Sequence, residues 1–174
     1  MGTGAALMEA ERLVAAGRHA LAESHTALDI VAEAWQAQAL AQAIGSHLAL
    51  GGPPELRGEA RGLSEIAGGR GTVDHPVLRT GALRAAQLTT VRDARSALIA
   101  LGALLGEVGI ALVGVACATD EDGLYWQCIE AIDAADEAGD RVRAMLRRLA
   151  VRERERGRPP DPAGNRAGPA PGPR

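Results

Sequence analysis

The sequence predicts an all-α protein: a helical bundle of four long helices and one short helix, followed by a disordered C-terminal tail. Three observations lead to this prediction. Apolar residues recur at three- and four-residue spacing through most of the chain, and the two-residue alternation of β-strands is not sustained. Stretches rich in Gly and Pro separate the periodic segments. Aromatic residues make up only 2% of the chain, so the core must be built from Ala, Leu, Val and Ile, which suits closely packed helices.

Three predicted helices occupy the first part of the chain, at about residues 5–23, 26–50 and 54–67. The second opens with Thr26 and Asp29, an arrangement similar to a capping box. The third is the short one, and Gly58 and Gly62 each weaken it by about 1 kcal/mol relative to Ala. Residues 68–76 form a predicted loop.

The fourth predicted helix, about residues 83–118, has the strongest pattern. Its heptad seam is apolar at all eight positions: Val91, Ala94, Leu98, Leu101, Leu105, Val108, Leu112 and Val115. Between residues 97 and 118 the other faces are apolar too, and Glu107 is the one charged residue. A helix that is apolar all round lies either at the centre of a bundle or across a membrane. We expect it to be the central helix of the bundle.

A membrane span is the alternative for this helix, because the run 97–118 is long enough to cross a bilayer. Against a span, Glu107 would lie near the midplane at a cost of about 3 kcal/mol. The apolar seam also continues beyond the run to Val91, and the following helix supplies a matching amphipathic partner. We therefore favour a buried helix over membrane association.

The fifth predicted helix, about residues 124–156, follows a turn at 119–123 that forces it to run antiparallel to the fourth. Its charge is divided along its length. Residues 119–140 carry eight acidic groups and no Arg, whereas residues 141–158 carry eight Arg and two Glu. This division favours the helix dipole. The two halves would also be complementary in two antiparallel copies.

Two candidate interface surfaces follow from these helices. On the fourth, three glycines share one face and would let another helix approach closely: Gly102, Gly106 and Gly109. At the basic end of the fifth, three arginines would meet an acidic partner, nucleic acid or the acidic half of a second copy: Arg147, Arg148 and Arg152. The sequence therefore predicts a protein partner or a homodimer.

Two further groups are candidate ligand sites. Glu107 could be a proton- or ligand-binding carboxylate with a raised pKa. We favour the other interpretation, in which Glu107 pairs with an Arg or reaches solvent. Trp35 lies on one predicted helix with Gln38 and Gln42. This group is either a ligand-facing patch or, as we favour, it contains the large anchor of an Ala-rich core.

The residue patterns name no catalytic residue, cofactor or metal site. The histidines lack the helical spacing that would aim two ligands at one ion: His19, His25, His47 and His75. Cys117 and Cys128 flank the same turn, and we expect them to behave as small hydrophobes. The net charge of −3 and the scarcity of aromatic residues argue against nucleic-acid binding.

Composition and the N-terminus indicate a source and a compartment. All 19 basic residues are Arg and Asn occurs once, which is typical of a GC-rich genome. The N-terminus shows no signal peptide, so we expect a cytoplasmic protein. The segments DIVAEAWQAQALAQAIGSH (29–47) and EVGIALVGVACATDEDGLYWQCIEAIDAADE (107–137) resemble a family of uncharacterised helical proteins from high-GC actinobacteria of the streptomycete type, over about residues 8–156. That family has no established activity, so the resemblance implies no catalytic residues.

These observations together predict a helical bundle domain over residues 1–156 and a disordered tail over 157–174, where ten residues are Pro or Gly. The function stays unknown at this level. We expect a non-enzymatic interaction or regulatory module that self-associates. The alternatives are a ligand-binding or enzymatic bundle using Glu107 or the Trp35/Gln38/Gln42 face, and a membrane-associated protein.

Overall fold

The computed structural model describes residues 9–69 and 83–158, and no β-strand occurs among them. These residues form five α-helices: α1 Glu9–Ala22, α2 Ala27–Gly51, α3 Arg57–Gly69, α4 Ala94–Ala118 and α5 Asp122–Arg156. Single 3-10 turns, Pro54–Leu56 and Arg84–Gln87, lie between α2 and α3 and before α4. The all-α prediction is confirmed. The predicted helix start at residue 5, most of the loop 68–76 and most of the tail 157–174 lie outside the described residues.

The start of α2 follows the capping signal in the sequence. Thr26 has extended backbone angles, and its Oγ1 accepts a hydrogen bond from the Asp29 amide at 3.1 Å. The helix ends where the Gly52 amide donates to the Leu48 carbonyl at 3.0 Å. Both predicted ends of this helix are therefore confirmed to within a residue.

The predicted start of the fourth helix near residue 83 is wrong, because α4 begins only at Ala94. Asp93 is its N-cap, and the Asp93 Oδ1 accepts from the Ser96 amide at 3.0 Å. Between the 3-10 turn Arg84–Gln87 and Asp93, the chain is held by tertiary hydrogen bonds instead of helical ones. The Glu9 carboxylate on α1 accepts from the Thr89 amide at 3.1 Å and from the Thr89 hydroxyl at 2.7 Å. The β-branched residues Thr89, Thr90 and Val91 lower the helix propensity of this segment. The contacts with Glu9 are therefore favoured over a continuation of the α-helix.

The helix at the centre of the bundle is α2, which contacts α1, α3, α4 and α5. Its buried side chains point in several directions and include Trp35, Leu40 and Ile44. Gly45 lets α3 approach closely, since a Cβ at this position would lie 2.9 Å from the carbonyl oxygen of Ala60. The prediction that the fourth helix is central is therefore wrong.

One face of α4 packs against α1, α2 and α5. Six of its eight predicted seam residues are buried: Leu98, Leu101, Leu105, Val108, Leu112 and Val115. The opposite face is exposed, because α3 lies against α2 and α5 and does not cover it. As predicted, α5 runs antiparallel to α4, since Gly102 faces Val142 and Arg95 pairs with Glu153. The helix α4 therefore carries more apolar surface than the bundle buries.

Candidate interaction surface

The exposed face of α4 carries a second apolar seam. Six exposed residues follow one another at alternating four- and three-residue spacing, and we call them the outer stripe: Ile99, Ala103, Gly106, Ile110, Val113 and Cys117. The side chain of Ile110 is 77% exposed, that of Ile99 54% and that of Val113 49%. This spacing is that of a coiled-coil seam. The helix therefore has two such seams, and the bundle covers one of them.

A shallow groove runs along the outer stripe on the side of α5. Gly106, Gly109 and Ile110 line it on α4, and Ile132 and Asp136 line it on α5. A Cβ placed at either glycine would meet nothing within 4 Å. The groove is therefore open enough to receive a side chain of a partner.

Two acidic residues near the outer stripe, Glu107 and Glu153, form ion pairs with arginines. The Arg18 Nε of α1 donates to both carboxylate oxygens of Glu107, at 3.0 and 2.9 Å, and its Nη2 donates as well. The hydrogen bond from Arg18 lowers the pKa of the Glu107 carboxyl below its ordinary value of 4.5. At the start of α4, Arg95 donates to Glu153 at 3.0 Å. The interpretation that Glu107 pairs with an arginine is confirmed, and its pKa is shifted downward.

The three predicted interface glycines do not share one environment. Gly102 faces α5, where a Cβ would lie 3.4 Å from Val142, so it belongs to the packing inside the bundle. Gly106 belongs to the outer stripe, and Gly109 lies in the groove beside it. The open part of the predicted glycine face is thus limited to Gly106 and Gly109.

The basic end of α5 makes contacts within the chain. Arg148 donates to Glu59 at 3.0 Å, and Arg152 donates to Glu55. Arg141 also donates to Glu59 at 2.9 Å, and this hydrogen bond is the largest cause of a lowered pKa for the Glu59 carboxyl. Arg147 lines a hollow between α5 and α3 together with Glu55 and Glu59, and it makes no ion pair within the described part of the chain. Of the three predicted interface arginines, two therefore stabilise the packing of α5 on the α3 side.

The predicted Trp35/Gln38/Gln42 face is largely internal. Trp35 is 4% exposed and belongs to the core, as we favoured. Gln38 is 2% exposed, and neither polar atom of its side chain has a hydrogen-bond partner in residues 9–69 or 83–158. Gln42 is half-buried and lines a surface hollow with Ser46. The three side chains therefore do not line a common open pocket within the described residues.

Metal-binding groups do not cluster in the part of the chain that the structure describes, where no three His, Cys, Asp or Glu residues lie together in a suitable arrangement. Cys117 is exposed at one end of the outer stripe. Cys128 is buried, and burial raises the pKa of its thiol. The two cysteines are not bonded to each other.

The sequence did not separate the outer stripe from the buried seam. Both seams are apolar and both have coiled-coil spacing, so the pattern alone does not say which one the bundle covers. The one signal for a second seam is its own alternating spacing from Ile99 to Cys117. Among the described helices, α4 is the one that is long and apolar enough to cross a membrane, a test that buried helices of soluble proteins also pass.

A family model for proteins of unknown function, DUF6099, matches residues 8–148. The chain belongs to this family. The matched region includes the first four helices, the whole outer stripe and most of α5, so DUF6099 covers the candidate surface. No curated protein and no solved structure matches the chain. Because DUF6099 has no assigned activity, a function has to be argued from the surface itself.

Proposed function

We propose that this DUF6099 protein is a non-enzymatic helical interaction module that forms a homodimer through the outer stripe of α4. The proposal places it in the cytoplasm of a high-GC actinobacterium, in agreement with its all-Arg basic composition. The observation that carries the proposal is the outer stripe itself, an exposed apolar seam that extends from Ile99 to Cys117 along most of α4.

The hydrophobic effect gives this surface a reason to associate. Complete burial of an Ile or Val side chain is worth about 1.5–3 kcal/mol relative to full exposure. In the isolated chain Ile110, Ile99 and Val113 leave much of that free energy unrealised. Single exposed apolar residues are ordinary, but a contiguous apolar surface bordered by polar residues is typical of an interaction site.

The electrostatics of the surface lower the cost of docking. Burying an unpaired charge in an interface is expensive. Glu107 is the one charged residue between positions 97 and 118, and Arg18 already neutralises it from the side of α1. Apart from Asp136 in the groove, which makes no ion pair among the described residues, a partner helix on the outer stripe would therefore remove few unpaired charges from water.

The alternatives have less support from the contacts. Glu107 is engaged by Arg18, and Trp35 lies in the core, so neither faces an open ligand cavity. The inner face of α4 packs against three other helices, which a free-standing membrane span would not need. These contacts favour a protein partner over a small ligand or a bilayer.

Sedimentation equilibrium from 1 to 100 micromolar tests the proposal. We expect a species of twice the 17.9 kDa chain mass for the wild type, and a monomer for Ile110→Asp. Leu28→Asp is the matched control, because Leu28 is a similarly exposed apolar residue on α2, outside the outer stripe. A wild-type protein that stays at the monomer mass throughout would overturn the proposal.

Flotation with vesicles of anionic phospholipid addresses the membrane alternative with the same two variants. We expect the wild type to remain in the soluble fraction. If the wild type floats with the vesicles and Ile110→Asp does not, the outer stripe is a lipid-binding surface and the proposal is wrong.

A further inference from the structure

The outer stripe has the same spacing when it is read in either direction. Its intervals are four, three, four, three and four residues. A two-fold axis perpendicular to α4 at about position 108 would therefore bring the six positions of one copy onto those of a second copy. The resulting pairs are Ile99 with Cys117, Ala103 with Val113, and Gly106 with Ile110, each formed twice.

Each of these pairs joins a small residue to a larger one. The Ile110 side chain of one copy would enter the open space at Gly106 of the other, where a Cβ would meet nothing within 4 Å. Val113 would lie over Ala103, and Ile99 over Cys117. Close packing of alternating large and small side chains is what a stable apolar contact requires.

A parallel arrangement of the same two helices would pair identical residues. Gly106 would face Gly106 and Ala103 would face Ala103, whereas Ile110 would meet Ile110 in the same seam. The Gly106 and Ala103 pairs would leave gaps beside the Ile110 pair, and van der Waals contacts between the two helices are lost across such gaps. The packing of the outer stripe therefore favours the antiparallel pairing.

The charges of α5 supply an independent reason for the same orientation. Gly102 lies against Val142, and Asp136 lies beside Gly109 and Ile110, so position 108 of α4 is level with about position 137 of α5. The two-fold axis would then set the acidic half of α5 level with the basic half of the partner's α5. Glu130 of one copy would lie level with Arg143 of the other to within a residue, with Asp133 and Arg147 about a turn from that level, and all four residues are exposed.

We infer that the occupant of the outer stripe is a second copy of this chain, docked antiparallel with its Ile110 in the space at Gly106. The inference rests on the proposed function, and it adds the orientation and the register of the homodimer. In this arrangement two Cys117 thiols would be about 27 Å apart along the helix axis. Residue 99 of one copy would lie opposite Cys117 of the other.

Disulfide trapping with copper phenanthroline tests the register, because a disulfide requires Cα atoms within about 7 Å. The wild type should remain a monomer on a denaturing, non-reducing gel. Ile99→Cys should give a covalent dimer, and adding Cys117→Ser to that variant should abolish it. Cys128 is buried and does not interfere. In the Cys117→Ser background, an equimolar mixture of Ala103→Cys and Val113→Cys should also cross-link, which keeps the test valid if loss of Ile99 weakens the dimer.

The remaining outcomes test the inferred orientation and register separately from the proposed homodimer. A wild type that cross-links through Cys117 would show a parallel dimer and overturn the inference, with the proposed function intact. A dimer in sedimentation that gives neither the 99–117 nor the 103–113 cross-link would overturn the register. A monomer in sedimentation would overturn the proposed function and the inference with it.

Discussion

Arg18 of α1 holds the carboxylate of Glu107 on α4, with hydrogen bonds from its Nε to both carboxylate oxygens. This contact joins two helices that are far apart in the sequence. Because of this contact, Glu107, the one charged residue of the apolar run 97–118, is not an unpaired charge beside the outer stripe. Its energetic role is open to direct measurement.

The first prediction concerns the pH dependence of this ion pair. The hydrogen bond from Arg18 lowers the pKa of Glu107 in the folded state below its ordinary value of 4.5. A lowered folded-state pKa stabilises the fold above the unfolded-state pKa, and this stability is lost as the pH falls through the folded-state value. The unfolding free energies of wild type and Glu107→Gln should therefore differ at pH 7 and converge at low pH, as measured by urea denaturation.

A double-mutant cycle controls that measurement. At pH 7, Arg18→Gln should lower the unfolding free energy about as much as Glu107→Gln does. The double variant should lower it little more than either single variant. The pair is partly exposed, so the difference should be small. A gap between wild type and Glu107→Gln that widens as the pH falls would contradict the pairing.

The second prediction concerns the close approach of α2 and α3. A Cβ at Gly45 would lie 2.9 Å from the Ala60 carbonyl oxygen and 3.0 Å from the Ser64 amide nitrogen. Gly45→Val should therefore push the helices apart and lower the unfolding free energy by about 3 kcal/mol. Gly58→Ala is the matched control, because a Cβ there meets nothing within 4 Å. It should be neutral or stabilising, since Ala is the better helix former. Equal melting temperatures for both variants would disprove the close contact.

The third prediction concerns the buried amide of Gln38. Its side chain has no hydrogen-bond partner among the residues that the structure describes, and an unsatisfied buried polar group is costly. Gln38→Met keeps the length of the side chain and removes the polar atoms, so it should raise the unfolding free energy by about 1 kcal/mol. The same change at the half-buried Gln42 should have little effect. A large destabilisation by Gln38→Met would show that this amide has an essential polar partner and would revive the ligand-site alternative.

The fourth prediction concerns the divided charge of α5. Reversal of Arg143 and Arg147 to Glu should weaken the dimer by roughly tenfold, which corresponds to about 1.4 kcal/mol. Reversal of the exposed Arg57 and Arg61 on α3 changes the net charge equally and should leave the dimer unchanged. Added salt should weaken the wild-type dimer as well, because it screens exposed charges. The dissociation constant from sedimentation equilibrium measures all three effects. Equal weakening by both double reversals would assign the effect to net charge alone.

The sequence predicted the helices well where the local signals were sufficient. The Thr26 cap and the apolar periodicity gave α2 and α5 nearly their observed ends. The start of α4 was missed because the bonds between Thr89 and Glu9 are tertiary, and no local pattern contains them.

The candidate surface was predicted only in part for a similar reason. The sequence indicated that Glu107 pairs with an arginine, but 89 positions separate it from Arg18, so spacing could not name the partner. Gly106 and Gly109 were recognised as a small-residue surface. Ile110 and its neighbours were not, because an all-round apolar helix gives no sign of which face the rest of the bundle leaves uncovered.

In the proposed homodimer a second copy of the chain covers the outer stripe. An isotope-filtered NOE experiment tests this arrangement on a mixed sample, in which half of the chains carry ¹³C-labelled isoleucine methyl groups and half are unlabelled. We expect intermolecular NOEs from the methyls of Ile110 and Ile99, with Ile110 close to the α protons of Gly106 in the other copy. The buried Ile44 of α2 should show none. A dimer whose intermolecular NOEs omit both Ile110 and Ile99 would contradict the account.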